Sequence, residues 1–429
     1  MKRLLTAKHL LVLAFVTETF CATYALKYNW LIDIATILYF ISGLVIAGAM
    51  LAIRAPKFTP KLKLPYSKTD TLYVLALIGI MGIVMCHFSK AMMDDAPLNY
   101  KEVDMLPIIQ TMSRRFLEGR WRHVYDIIPE IWGGMKPIYL PAMWLPFSIP
   151  LAFNADIRWL TVAVLFFVFA LFIWIIHPTK QRIPSLLKVI AVFALFWWMF
   201  TEDAPGLVPY TEEGVVIFYY SILVISLFST NYWMIGIAAS LCMLSRYSFI
   251  GWMPAMLIYL LAEKDKKHLL RFAAAGIICF VVLVVLPFGF TVFENTIELP
   301  GRYIDFASRV WHDSGHIFYE TLGFAKFFGP NRVALQHKLL ISLSFILPSL
   351  FMLVVLWLRK KGKAVFNIPL ATLKLSLVIF YNFIDVPYLY LFYTSTFVSL
   401  VAIVYLLREK KKTHKGIVLP IETVVQGLP

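Results

Sequence analysis

Apolar residues in this chain come in long unbroken runs rather than in strict alternation with polar ones. A membrane-spanning helix needs roughly 20 mostly apolar residues, with every backbone polar group paired inside the segment. A β-barrel would show short alternating strands instead. The runs therefore predict helices at about 9–26, 30–53, 70–88, 139–153, 157–176, 184–200, 214–228, 231–245, 248–262, 272–292, 338–358, 366–384 and 387–407, some of them too short to cross unaided. Two long polar interruptions, 89–138 and 294–337, break the series, and no soluble domain, linker, low-complexity tract or internal repeat is visible. The expectation is one transmembrane domain over 1–429: an all-α polytopic membrane protein of about 11–13 transmembrane helices, with interfacial helices in a large first loop.

Composition agrees, since 60% of residues are hydrophobic and only 15% charged, against nearly half and a quarter in a soluble domain. The net charge of +15 does not point to nucleic acid. Its basic residues sit in short segments between apolar runs: Arg54–Lys68, Lys264–Arg271, Arg359–Lys363 and Arg408–Lys415. Such segments belong on the cytoplasmic side, against anionic headgroups. Cys21, Cys86, Cys242 and Cys279 lie in or beside apolar runs without metal or disulfide spacing. The start, Met1-Lys2-Arg3 before an apolar stretch, imitates a signal peptide, but no convincing cleavage site follows and a retained first helix is expected. The absence of any Asn-x-Ser/Thr sequon favours a bacterial membrane.

With the N-terminus inside, Arg54–Lys68 falls inside and the 89–138 loop outside; working back from the basic tail, 294–337 also falls outside. Crossing every intervening segment breaks this parity. One must fail to cross, either Tyr139–Phe153 or one of the pair around Arg246.

In the first loop, Met105, Ile108, Ile109, Met112 and Phe116 recur at helical steps, with Arg114, Arg115 and Glu118 off that stripe. A helix of this kind lies flat at the interface, and Gly119 suits its C-cap. A second amphipathic run carries Val124, Ile127, Ile128, Ile131 and Trp132, before Gly133-Gly134 and Pro137-Ile-Tyr-Leu-Pro141 lead back to the membrane.

An acidic residue after a span, an interfacial helix ending in Gly, and a Tyr-x-Pro entering the next span resemble the GT-C superfamily of polytopic glycosyltransferases. Within it, the pattern is most similar to family 87, whose members use polyprenol-phosphate-mannose. The matching residues are Asp104, Gly119, Tyr125, Asp126, Tyr139 and Pro141, and the Glu212-Glu213-Gly214 turn also resembles one in that family. Leu-Pro stands where the family usually has Pro-Pro, and Asp104-Met where it has Asp-aromatic. The resemblance implies an inverting transfer of mannose or another hexose or pentose from a polyprenyl-phosphate donor to a lipid or glycan acceptor. It further implies that Asp104 is the base taking the acceptor hydroxyl's proton, a role contributing about 10²–10⁴-fold. The departing phosphate calls for a cation, for which Arg114, Arg115, Arg246, Arg302 and Arg309 are candidates, while Tyr125, Tyr139, His312 and His316 are candidate substrate contacts. No cofactor is indicated beyond the polyprenyl-phosphate-sugar substrate, and a divalent metal is allowed although no ligand spacing supports one.

Plainer readings stand beside these. Asp104, with Pro107 in the first turn, fits an N-cap as well as a base. Asp94-Asp95 reads as solvated, and His312 and His316 have no third ligand in register. Arg246 reads most simply as snorkelling to the interface, a buried functional charge being the alternative. Asp385 is given no role. From other classes, a flippase for lipid-linked saccharide would show midplane charges and paired halves, whereas Glu18, Asp33, Lys188 and Lys374 are nearly the only charges within spans. A polysaccharide polymerase or ligase would use the Arg- and His-rich 294–337 loop.

Overall fold

In the computed structural model, residues 6–55, 68–100, 104–131, 134, 136–176, 190, 194, 206–263, 265–289 and 291–407 are described. Except for residues 190 and 194, all of the expected span at 184–200, including Lys188, lies outside those residues, as do Trp132, Gly133, most of Arg54–Lys68, Lys264 and the tail 408–415. The chain is all-helical, with no strand among the described residues. Among the described residues, six helices are long and apolar enough to cross a membrane, and five shorter apolar helices pack among them. This is the architecture of a polytopic membrane protein.

The helices used below are α1 (Ala7–Ala22), α2 (Ile32–Ala52), α3 (Lys68–Asp95), α4 (Met105–Leu117), α5 (Arg158–Ile176), α6 (Glu213–Ser229), α7 (Tyr232–Met243), α8 (Trp252–Ala262), α9 (Lys266–Phe280), α10 (Thr291–Ser314), α11 (Val333–Lys360), α12 (Ile368–Phe383) and α13 (Leu389–Leu406). α6, α12 and α13 are buried nearly all round and form the centre of the bundle. α3 and α9 present most of their apolar surface outward, as lipid-facing helices do.

Contacts between helix ends sort the bundle into two faces. At one, Asn367 donates its side-chain amide to Met50 O and Ile53 O, and Arg359 pairs with Glu263. Arg54, Lys360, Lys361 and Lys363 adjoin these contacts in sequence. At the other, Asp33 pairs with Lys326 at 2.9 Å, the Tyr390 hydroxyl donates to Met105 sulfur, and His337 meets Asp385. Both long interruptions therefore attach to the face opposite the basic segments.

The Tyr139–Phe153 run is not a span. It breaks into helical pieces of four, three and five residues, because Pro146 and Pro150 each remove a backbone donor. Its start is tied to the first loop by the Tyr125 hydroxyl on Tyr139 O, and Arg158, beyond its end, donates to Ala96 O just after α3, so both ends stay at one face. α4 forms as expected, and Gly119 closes it at φ +76°, a conformation glycine adopts without strain. The second amphipathic run does not form a regular helix: a single 3-10 turn, Trp121–His123, is followed by turns that bury Val124, Ile128 and Ile131 but leave Ile127 exposed. The 294–337 interruption is largely helical, through α10.

One charge pair lies wholly inside the bundle. Lys374 on α12 binds Glu18 on α1, and both are 0% exposed. Ser399 donates to the second Glu18 oxygen at 2.8 Å, while Lys374 also reaches Ser395 Oγ at 2.7 Å. Buried ions are expensive singly and tolerable as satisfied pairs. Replacing Lys374 by Met alone is therefore expected to destabilise the protein by about 3–5 kcal/mol, while Glu18→Leu with Lys374→Met should recover most of the loss. Unfolding titrations in mixed micelles measure both; a single variant as stable as the parent removes the pair from the fold's foundations.

Candidate functional site

The densest polar chemistry lies where α6 begins. Thr211 Oγ donates to Leu207 O at 2.9 Å and accepts from Glu213 N, fixing the turn into the helix. Gly214 lets this turn sit against α5: a Cβ there would meet Thr161 Cγ2 at 2.6 Å. The close approach carries Glu212 and Glu213 into the bundle, where both are fully buried.

Their counter-ion is Arg246, in the turn between α7 and α8. Its Nη2 bonds to Glu212 Oε1 at 2.6 Å and also to Glu213 Oε2. Thr394 of α13 donates to the other Glu213 oxygen. Burial alone would lower the Arg246 guanidinium, but Glu213 and Glu212 outweigh it and push its pKa up, so the group stays cationic. Two buried atoms of this cluster have no hydrogen-bond partner: Glu212 Oε2, an acceptor, and Arg246 Nε, a donor.

A ring of phenols surrounds the cluster. Ala142 N donates to Leu244 O, and the Tyr219 hydroxyl to Ala142 O, fastening the 137–142 segment to the Arg246 turn. Tyr139 thereby comes under the charges of the cluster. Its pKa is raised by burial, then by Glu212 and Asp104, and lowered in part by Arg246. Tyr388 is pushed up to about 12 by burial and Asp104. Tyr303, on α10, is pushed up to about 12 by burial, with Asp385 and Glu212 raising it and Arg246 lowering it. Asp104, Glu212, Arg246 and Asp385 each act electrostatically on one or more of these tyrosines.

Asp104 occupies the N-cap position of α4, yet its side chain does not cap the first turn. That leaves the plain capping role unfilled. Tyr125 is structural: its hydroxyl donates to Tyr139 O at 3.1 Å and accepts from Trp144 Nε1 at 3.0 Å. Arg115 holds the loop, donating to the carbonyls of Val124, Asp126 and Ile127, and Asp126 pairs with His123 at the surface. Arg114 and Arg309 are exposed, and Arg302 is half-buried one residue from Tyr303. His312 and His316 are both exposed, the former bonded to Asp313 at 2.8 Å. Among the described residues no group of three or more His, Cys, Asp or Glu is placed to hold a metal.

The snorkelling expectation for Arg246 does not hold, because two buried carboxylates face it from α6. Tyr303, Tyr390, Thr394, His337 and Asp385 were not singled out as site residues in the sequence. Only the scarcity of charges within spans could have flagged Asp385. The chain matches no protein-family model, no curated protein and no solved structure.

Gly214→Ala is expected to push α5 and α6 apart and cost about 1–3 kcal/mol. Adding Thr161→Ser removes the Cγ2 atom in the way and should restore part of that stability. A double-mutant cycle by thermal unfolding reads the coupling, and additive effects would refute the contact.

Proposed function

We propose that this protein is a membrane glycosyltransferase of GT-C type that moves a sugar from a polyprenyl-phosphate donor to a lipid or glycan acceptor on the non-cytoplasmic face. The observation that carries the reading is the partnerless pair of atoms in the buried cluster, Glu212 Oε2 and Arg246 Nε. Charges are kept inside membranes chiefly for function. An unpartnered acceptor and an unpartnered donor in one cluster suit a ligand that offers both hydroxyls and an anion, as a sugar phosphate does.

In the reaction, the acceptor oxygen attacks the anomeric carbon and loses its proton to the Asp104 carboxylate. The bond from that carbon to the phosphate oxygen breaks, and its electron pair leaves with the lipid phosphate, giving inversion. Arg246, with donors beyond those used by its glutamates, faces the developing phosphate charge. Glu212 and the tyrosines hold the sugar hydroxyls. The lipid tail lies among the spans, and no nucleotide-binding fold is needed.

The six long and five shorter apolar helices, with the candidate at 184–200, make twelve crossings when Tyr139–Phe153 does not cross. An even number puts both termini on one side, and the basic face makes that side cytoplasmic. The membrane is then a bacterial cytoplasmic membrane with the site facing outward.

Transport of lipid-linked saccharide is the second reading, favoured by the Glu18–Lys374 pair inside the bundle. An assay in membranes supplied with radiolabelled polyprenyl-phosphate sugars separates the two. Asp104→Asn should lower transfer by at least about 10²-fold. Undiminished transfer in that variant removes Asp104 as base, and failure of the parent with every such donor favours transport.

A further inference from the structure

Four neighbouring side chains at the site's end of the bundle leave buried polar atoms without partners. α11 supplies Gln336 and His337, while α12 and the turn after it supply Asn382 and Asp385. Each residue uses one end to hold the fold. His337 Nδ1 bonds to Asp385 Oδ2 at 2.6 Å. Gln336 Nε2 donates to Phe383 O and Ile384 O at 3.3 and 2.7 Å, and Asn382 Nδ2 donates to Val378 O at 2.7 Å. The remaining atoms, Gln336 Oε1, His337 Nε2, Asn382 Oδ1 and Asp385 Oδ1, are buried with no hydrogen-bond partner. Folded proteins leave few such atoms, and a group of them calls for something that completes it.

Their chemistry is uniform. Both amides spend their NH₂ groups on carbonyls, so the oxygens left over are acceptors. With Nδ1–H given to Asp385, His337 Nε2 is a lone-pair acceptor too, a tautomer assigned from that bond. In that tautomer the four leftover atoms offer an acceptor-only phosphate no donor, the unpartnered donor at this end being Trp311 Nε1 of α10. A metal cation is a poor match, since only His337 and Asp385 are strong ligands and no group of three exists among the described residues. A compound carrying several O–H donors fits. Tyr303 of α10 lies within the electrostatic reach of both Asp385 and Glu212. Val333 and Val386, beside the two halves of the cluster, pack with Val310 and Trp311 of α10, which thus roofs this end.

We propose that Gln336, His337, Asn382 and Asp385 form a subsite that binds the hydroxyl groups of a carbohydrate, the acceptor in the reaction proposed above. Its role as acceptor subsite rests on that reading; its affinity for hydroxyls does not.

The test measures binding of octyl β-D-glucoside, below its micelle concentration, to the full chain in lipid nanodiscs, with 1-octanol as the hydroxyl-poor control. His337→Phe and Asn382→Leu should each weaken glucoside binding roughly 5–10-fold, the worth of one hydrogen bond, and leave octanol unchanged. His337→Gln, which returns an acceptor oxygen, should recover part of the loss. Asn382→Leu keeps similar volume and forfeits only a bond to a carbonyl already in the helix, so it decides the matter should His337→Phe not fold. Equal glucoside binding by all variants overturns the subsite, as it would if water alone completes these atoms. Binding that depends on these residues, in a protein that transfers sugar from no polyprenyl-phosphate donor, upholds the hydroxyl subsite and overturns the transferase reading instead.

Discussion

The bond of Arg246 to both Glu212 and Glu213 is the constraint around which this bundle is organised. It joins the start of α6 to the turn between α7 and α8, and Thr394 extends it to α13. Without Arg246, two carboxylates would be left in a low-dielectric interior, a situation that breaks folds rather than trims them. The turn it fixes also anchors the 137–142 segment through Leu244 O, and with it Tyr139. Asp104 is then held near Tyr139 and Tyr388 rather than left to a loop of its own. Fold and candidate site are one arrangement here, since the ion cluster that ties these elements together also lies beside Tyr139.

Two buried charge systems differ in how they are completed. Glu18 and Lys374 have both carboxylate oxygens and the ammonium engaged by serines and by each other. The Arg246 cluster and the His337–Asp385 cluster each keep atoms without partners. A completed pair stabilises and specifies; an incomplete one in a rigid frame is poised for a ligand. The two systems approach each other on α13, where Thr394 serves one and Ser395 the other. Adjacent residues on one helix thus serve a completed charge pair and an incomplete one.

Much of the helical frame was legible in the apolar runs, because the bilayer imposes length and uniformity on each span. The cap at Gly119 was legible too, since its position after the Phe116 stripe leaves few other roles. The Tyr139–Phe153 run was legible as one of two candidates for a segment that does not cross, and only the contacts at its two ends separate it from the pair around Arg246. Arg246 itself misled. Snorkelling is the usual fate of an arginine between two apolar runs, and its partners lie 33 and 34 residues away in sequence. Asp385 and His337, 48 residues apart, were likewise invisible as a pair, because a pattern of spans says which segments cross but not which ends meet.

The central claim is that a sugar phosphate completes Glu212 and Arg246. Cryo-electron microscopy of the protein in nanodiscs with a non-hydrolysable C-phosphonate analogue of a polyprenyl-phosphate sugar addresses it directly. The account predicts density for the sugar against Glu212 and for the phosphonate against Arg246, with the lipid tail leaving between helices. Density for the headgroup beside Glu18 and Lys374, with the Arg246 cluster untouched, would contradict it.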